Sequence, residues 1–330
     1  MPETFGELLR RLRQQAGLSQ PELARRVPVS QPSLSRYESG RQAVDVAVAA
    51  RLDELLDAGG QLAALAAPAD AVEVLSGDER DRLAYVTDRP RSIDSQAVRS
   101  LAVVLAEQRR LEDRLGAGAV FDSTNGYVRL VERLVPDAGG TLRPAVVDLA
   151  AQWAQFGAWL HVAVDELPGS ARLLDRVTEW GLEIDSVDLV ATALSMKGYH
   201  AYKTRRLGAM LGLSRAAGRD PRVSPGLRAL AAQQQARAHA LLGEGEATDR
   251  ALDEATELVG RTEPGHGPPW VYFFGPDYLR MQRGRAYRYL GRRDESAELL
   301  AAGLDALPAE LRNAEWTRTY EADLAEVRTP

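Results

Sequence analysis

Ser30-Gln-Pro-Ser-Leu-Ser-Arg-Tyr-Glu-Ser-Gly-Arg41 reads as a short helix with two chemically distinct faces. Leu34 and Tyr37 fall at helical spacing and can turn inward, while Gln31, Ser35 and Arg36 project outward with hydrogen-bonding ends. Gly40 supplies the stop, since glycine enters positive φ without a steric penalty. Upstream, Phe5, Leu8, Leu9 and Leu12 recur at three-to-four spacing and Gly17 closes that helix. Ser19 opens another, with Glu22 three residues on in a capping-box pattern and Pro21 tolerated in the first turn. This second helix turns Leu23 and Ala24 inward and should end by Val27, because Pro28 disfavours helical geometry at the residue before it.

Over residues 5 to 65 this pattern resembles the phage-repressor, or XRE-type, class of helix-turn-helix domains, a five-helix DNA-binding unit. The resemblance implies phosphate contacts at Gln20, Ser30, Ser33 and Arg41, which would set register without reading sequence. It assigns base reading to Gln31, Ser35 and Arg36, since glutamine can pair with adenine N6 and N7 and arginine with guanine O6 and N7. Arg13 and Glu38 match positions that, in the family, form an ion pair tying the first helix to the recognition helix. Two positions depart from the family pattern: Pro28 stands where a glycine is usual in the turn, and Pro32 where a polar base reader often stands. Pro32 suits the first helical position but offers bases only apolar contact, for instance to a thymine methyl group. The alternative for residues 5 to 65 is a small bundle that uses the fold only for protein contacts.

Charge supports the first reading. The 330-residue chain has a net charge of −6, which argues against a nonspecific nucleic-acid coat. Residues 1 to 41 nevertheless carry seven arginines (10, 11, 13, 25, 26, 36, 41) against four glutamates (3, 7, 22, 38). In residues 42 to 65, Arg51 faces Asp45, Asp53, Glu54 and Asp57, so positive charge gathers where DNA would sit. One such domain binds an operator weakly, so a homodimer on a pseudo-palindrome is the economical expectation.

Composition excludes several other classes. The absence of cysteine removes disulfides, thiolate metal sites and cysteine nucleophiles together. No apolar run approaches the roughly 18 residues that span a membrane, which leads us to expect a soluble, cytoplasmic protein without a membrane partner. Arginine far outnumbers lysine, with only Lys197 and Lys203 present, as in a GC-rich bacterial genome. The histidines at 161, 200, 239 and 266 are too scattered for a metal motif, although His161 and Asp165 stand at i, i+4. Gly116 to Gly126 lacks the lysine and following serine or threonine of a phosphate loop. We expect no enzyme, no cofactor and no metal.

The rest of the chain reads as all-α. Residues 66 to 95, alanine-rich and then charged, are expected to form a linker, with room for short strands or a helix, between residues 1–65 and a helical body over 96–330. Asp94 or Ser95 can cap a helix running to Leu115, with Val98, Leu101, Leu105 and Leu111 near one side, stopped by Gly116. That seam suits either dimer contact or packing within its own domain, and the second is favoured. Beyond residue 120, breaks at Pro136 to Gly140, Pro168 to Ser170, Gly218 to Pro225, Gly243 to Gly245, Gly260 to Pro269 and Pro308 suggest paired helices repeating every 34 to 45 residues or so.

In the segment Tyr278 to Pro308, the residues Gly284, Tyr287, Gly291, Ala297 and Leu300 resemble the tetratricopeptide repeat. Weaker units place Trp153 and Gly157, then Gly198 and Tyr202, then Ala236 and Ala240. Such an α-solenoid has a concave face that commonly holds peptides or partner segments, and the resemblance implies a sensor or dimerisation body. Tyr199, Tyr202, Lys203, Tyr272, Arg280 and Arg283 are the candidate groove residues for a signalling peptide, small molecule or protein. The aromatic run Pro268 to Phe274 reads as an anchor for the preceding loop. The expected function is thus a DNA-binding transcription regulator, the alternative being an interaction scaffold or anti-regulator whose head does not read DNA.

Overall fold

The computed structural model describes residues 4–27, 29–39, 44, 46–59, 61–66, 74–261, 267–307, 312 and 316–329. Among them regular structure is helical throughout, so the fold is all-α. Pro28, Gly40, Arg41, Asp45, Gly60, His266 and Pro308 lie outside the described residues, and with them the family-departing turn, the helix stop and one phosphate contact. Contacts divide the chain into two compact units, Met1–Ala138 with Ala163–Asp165, and Gly139–Val162 with Glu166–Pro330.

The first unit begins with α1 (Phe5–Gln15), α2 (Gln20–Ala24), α3 (Gln31–Glu38), α4 (Val46–Leu55) and α5 (Gln61–Ala66). Full capping boxes start α1 at Thr4 and α2 at Ser19, where each cap exchanges hydrogen bonds with the glutamate three residues on. Gly17, at φ 67°, follows the end of α1, and α2 stops at Ala24, within the limit expected at Val27. Leu8, Leu9, Leu23, Leu34, Leu52 and Leu62 are completely or almost completely buried and form one core. Asp53, one of the acids counted beside the arginine-rich segment, is buried, and its carboxylate accepts from the Leu62 amide at 2.7 Å.

Residues 66–95, read as a linker, contain α6 (Gly77–Asp88), opened by a capping box at Ser76. Asp94 caps α7 (Ser95–Leu115) by accepting from the Ala97 amide at 2.9 Å, and Gly116 ends it at φ 86°. The seam residues Leu101 and Leu105, with Val104, are buried, and α7 packs on α6 and on α8 (Ala117–Asp137) within the same unit. The glycine-containing stretch after Gly116 is therefore helix and forms no phosphate-cradling loop.

The second unit is a series of helix pairs: α9 (Arg143–Ala163) with α10 (Leu167–Glu183), α11 (Val187–Lys203) with α12 (Leu207–Gly218), α13 (Pro225–Leu241) with α14 (Gly245–Gly260), and α15 (Pro276–Tyr289) with α16 (Arg293–Ala306). Helix α17 (Thr317–Arg328) follows. Each pair turns on one residue with positive φ: Asp165 (64°), Arg205 (57°), Gly243 (77°) and Gly291 (75°), spaced 40, 38 and 48 residues apart. The residue seven positions before each turn is small: Ala158, Gly198, Ala236 and Gly284. There the paired helix comes close, with the hydroxyls of Ser170 and Ser296 donating to the carbonyls of Ala158 (2.7 Å) and Gly284 (2.8 Å).

This register corrects the expected one in the first pair, where Ala158 takes the place assigned to Gly157. Pro168 and Ser170, expected between helices, lie instead in the first turn of α10, where a missing N–H breaks no helical bond. First helices touch first helices, α11 on α13, α13 on α15 and α15 on α17, as in a helical solenoid. The loop after α14 is anchored by Trp270, whose indole N–H donates to the Thr192 hydroxyl of α11 at 2.8 Å.

Arg205 is the one turn residue of the four that is neither glycine nor aspartate, and it is exposed. The left-handed conformation costs a residue with a Cβ about 1–2 kcal/mol, part of which glycine forfeits through unfolded-chain entropy. Arg205→Gly should therefore raise stability by about 0.5–1 kcal/mol in chemical denaturation; a loss of stability would contradict this account of the turns.

Candidate nucleic-acid interface

Helix α3 starts on Ser30, whose hydroxyl accepts from the Ser33 amide at 3.2 Å and lies 2.8 Å from Ser33 Oγ. Pro32 is the second helical residue, one later than expected, and still falls where backbone N–H groups have no intrahelical partner. Leu34, Tyr37 and Glu38 are buried, Ser33 and Ser35 half-buried, and Gln31, Pro32 and Arg36 exposed. The helix thus sinks one side into the core and leaves a polar ridge outside. On that ridge the Arg36 guanidinium donates to Ser33 Oγ at 3.3 Å.

What holds α3 is the Glu38 carboxylate, 1% exposed. Arg13 of α1 donates to both of its oxygens, through Nε to Oε1 at 2.5 Å and through Nη2 to Oε2 at 2.9 Å, and also donates to the Leu18 carbonyl at 2.7 Å. Gln20 at the start of α2 donates to Oε2 at 2.9 Å, and Arg10 donates to the Glu38 main-chain carbonyl at 3.1 Å. Burial alone would push the Glu38 carboxyl up; hydrogen bonds from Arg13 and Gln20, with the charges of Arg13 and Arg10, outweigh it and hold the group below the ordinary glutamate range. The same pairing raises Arg13 above its usual value, its hydrogen bond to Glu38 contributing most.

Gln20 also accepts from Gln31 Nε2 at 3.0 Å, so its amide bridges the buried carboxylate to the exposed ridge. Both ends of its side chain are therefore engaged within the domain. Sequence reading passed over Arg10 and Gly6. Arg10 had a signal, since it stands one helical turn before Arg13. At Gly6 an added Cβ would lie 2.7 Å from the Tyr37 carbonyl oxygen and 2.8 Å from that of Glu38. A glycine inside an otherwise strong helix is the only local sign of that approach.

The candidate groove residues of the second unit do not converge on one contact set: Tyr199 and Tyr202 meet each other, whereas Arg283 and Arg280 pair with different carboxylates. Tyr199 and Tyr202 pack together at 5.6 Å between ring centroids, and Lys203 follows on the same helix. Arg283 pairs instead with Asp253 of α14 at 2.7 Å, Arg280 with Asp277 of its own helix at 2.8 Å, and Tyr272, half exposed, packs edge-on against Phe273. The His161 ring contacts Glu166, and Asp165 is the left-handed turn residue. Among the described residues no three acidic or histidine side chains gather as metal ligands, and no helix is long and apolar enough to cross a membrane.

Residues 4–67 match the family model described as a helix-turn-helix domain. A protein of Thermococcus kodakarensis whose name reads "Putative HTH-type transcriptional regulatory protein" is 49% identical over 65 residues, 20% of this chain and 19% of its own length. Similarly named proteins of Thermococcus gammatolerans and Pyrococcus furiosus are 50% and 48% identical over 52 residues, in each case 16% of this chain and of their own length. The chain thus covers less than a fifth of the length of these relatives. The first unit carries a helix-turn-helix domain.

Two outcomes follow from the Glu38 arrangement. Because the carboxyl is depressed in the folded chain, its contribution is complete above the unfolded value of about 4.3 and is lost as pH falls through the lower folded value. Stability of the first unit, followed by hydrogen exchange of α1 and α3, should fall below about pH 4.3, and less steeply in Glu38→Gln; equal slopes would remove Glu38 as the cause. Gly6→Ala should destabilise the same unit by about 1–3 kcal/mol, since backbone carbonyls cannot step aside as side chains do. A neutral result would mean that α1 shifts freely over α3.

Proposed function

We propose that this chain is a sequence-specific, DNA-binding transcription regulator. The observation that carries the reading is the braced helix α3, its exposed ridge bearing Gln31 and Arg36 while Glu38 locks its far end to α1 and α2. The match of residues 4–67 to helix-turn-helix domains, and the regulators named among its relatives, support it. In this reading Arg36 reads guanine, Gln31 adenine, Ser35 a neighbouring edge, and Pro32 packs on a thymine methyl. Ser30, Ser33 and Arg41 hold phosphates. Gln20, with its amide occupied by Glu38 and Gln31, serves the backbone through its own N–H at the start of α2.

The chain acts as a homodimer on a pseudo-palindromic operator, and the tetratricopeptide-like body of the second unit dimerises, senses a ligand, or does both. A peptide, small molecule or protein on the body shifts the spacing of the two heads. Heads about one DNA turn apart, roughly 34 Å, bind tightly, and misplaced heads do not.

Operator-length duplexes titrated with salt test the reading. Binding should be sequence-selective with a steep salt slope. Arg36→Ala should lose about 1–3 kcal/mol at one base position and relax selectivity there. Equal loss on every sequence would make Arg36 a phosphate contact, and salt-insensitive or absent binding would favour an interaction scaffold.

A further inference from the structure

We infer that the layer of first helices in the second unit contains a binding site for a small oxyanion, a carboxylate or phosphate group, centred on Arg237 of α13. The inference gives a chemical class to the ligand of the sensing body and rests on that reading for its regulatory consequence alone.

Arg237 is 4% exposed. Its guanidinium lies 5.0 Å from the ring centroid of Tyr202 and 5.9 Å from that of Tyr199, both on α11, and its Nη2 donates to the Gln282 side-chain carbonyl of α15. Its Nε is buried and has no hydrogen-bond partner. Among the described residues no carboxylate stands within ion-pairing distance of it. The neighbouring buried guanidinium, Arg285, shows the usual solution: Asp323 of α17 meets it at 2.5 Å. A charge withdrawn from water without a counter-ion is strongly unfavourable, and aromatic faces and one amide carbonyl offset only part of that penalty.

The groups around Arg237 are rich in donors and poor in acceptors. The Gln282 carbonyl already receives two hydrogen bonds, from Arg237 and from Gln233 Nε2 at 3.0 Å. The hydroxyls of Tyr202 and Tyr289 share one hydrogen bond at 2.9 Å. Burial, together with the Tyr202 hydrogen bond, pushes Tyr289 up to about 12, so it remains a neutral phenol at physiological pH and brings no negative charge to Arg237. An oxyanion supplies what this arrangement lacks, a negative charge and several acceptor lone pairs, and a planar guanidinium fork suits carboxylate or phosphate. Access requires the inner layer to part, most directly at the Tyr202–Tyr289 contact, which joins α11 to α15 across α13. Occupancy is thereby coupled to the spacing of the first helices.

The test uses the full chain with sodium phosphate and sodium benzoate as probes, against sodium chloride at equal ionic strength. Thermal unfolding and equilibrium dialysis are followed for the parent, Arg237→Gln, and Arg250→Gln as a surface control. A saturable rise in Tm with at least one probe is expected in the parent and in Arg250→Gln, with affinity at least about tenfold weaker in Arg237→Gln; which probe acts tells phosphate from carboxylate. In chloride, Arg237→Gln should be at least as stable as the parent, since it removes an unpaired buried charge. If Arg237→Gln does not fold, Tyr289→Phe must weaken the dialysis isotherm. No saturable anion effect in the parent, or one unchanged in the Arg237 and Tyr289 variants, overturns the site. Operator binding measured alongside separates the two readings: anion binding without any change in DNA affinity overturns ligand control and leaves the site standing, whereas intact DNA binding without an anion effect overturns the site alone.

Discussion

The buried carboxylate of Glu38 sets the geometry on which the rest of the N-terminal domain depends. It terminates α3, and it is reached by donors from two other helices, Arg13 from α1 and Gln20 from α2, while Arg10 takes the adjoining main-chain carbonyl. A buried ion pair is not by itself a strong source of stability, because desolvation offsets most of the attraction; losing one partner, however, strands the other at about 3–5 kcal/mol. The value of such a hub is therefore geometric. It admits one arrangement of three helices, and through Gln20 it extends to Gln31 on the exposed ridge. Gly6 completes the constraint by letting α1 lie directly on the last carbonyls of α3.

The second unit solves a related problem differently. Its helix pairs repeat one plan, a small residue at the crossing and a left-handed residue seven positions later, with Asp165, Arg205, Gly243 and Gly291 filling the second position. Polar groups enter the inner layer between pairs. The chain from Gln233 through Gln282 to Tyr320 links α13, α15 and α17, and Arg285 with Asp323 ties the last two again. Arg237 stands beside this network with one of its donors unanswered. Arg237 shares the Gln282 carbonyl of the neutral network but has no counter-ion such as Asp323 gives Arg285, which is the asymmetry a binding site would leave.

What the sequence discloses follows the range of the interactions. The Ser19–Glu22 capping box, Gly17, Asp94 and Gly116 are local and could be read directly. The inward faces of α1 and α3 followed from spacing, because one apolar core selects one face. The partnership of Arg13 with Glu38 spans 25 positions and was expected only through family resemblance. Gly6 and Arg10 meet α3 across the fold, and no periodicity announces that. In the repeats, Gly157 beside Ala158 offered two small residues, and only the turn at Asp165 decides between them. The groove residues were chosen for chemical type, and type says nothing of direction: Arg283 turns to Asp253 on α14, while Arg237, passed over between Ala236 and Ala240, faces the aromatic rings.

The account stands or falls on whether the α3 ridge reads DNA. The most direct measurement is selection of bound duplexes from a random-sequence library by the full chain, at physiological salt, followed by sequencing. The account predicts enrichment of one short motif in two inverted copies, with centres about one helical turn, roughly 10 base pairs, apart. Recovery of unselected sequence, or of a motif that does not depend on major-groove base edges, would contradict it.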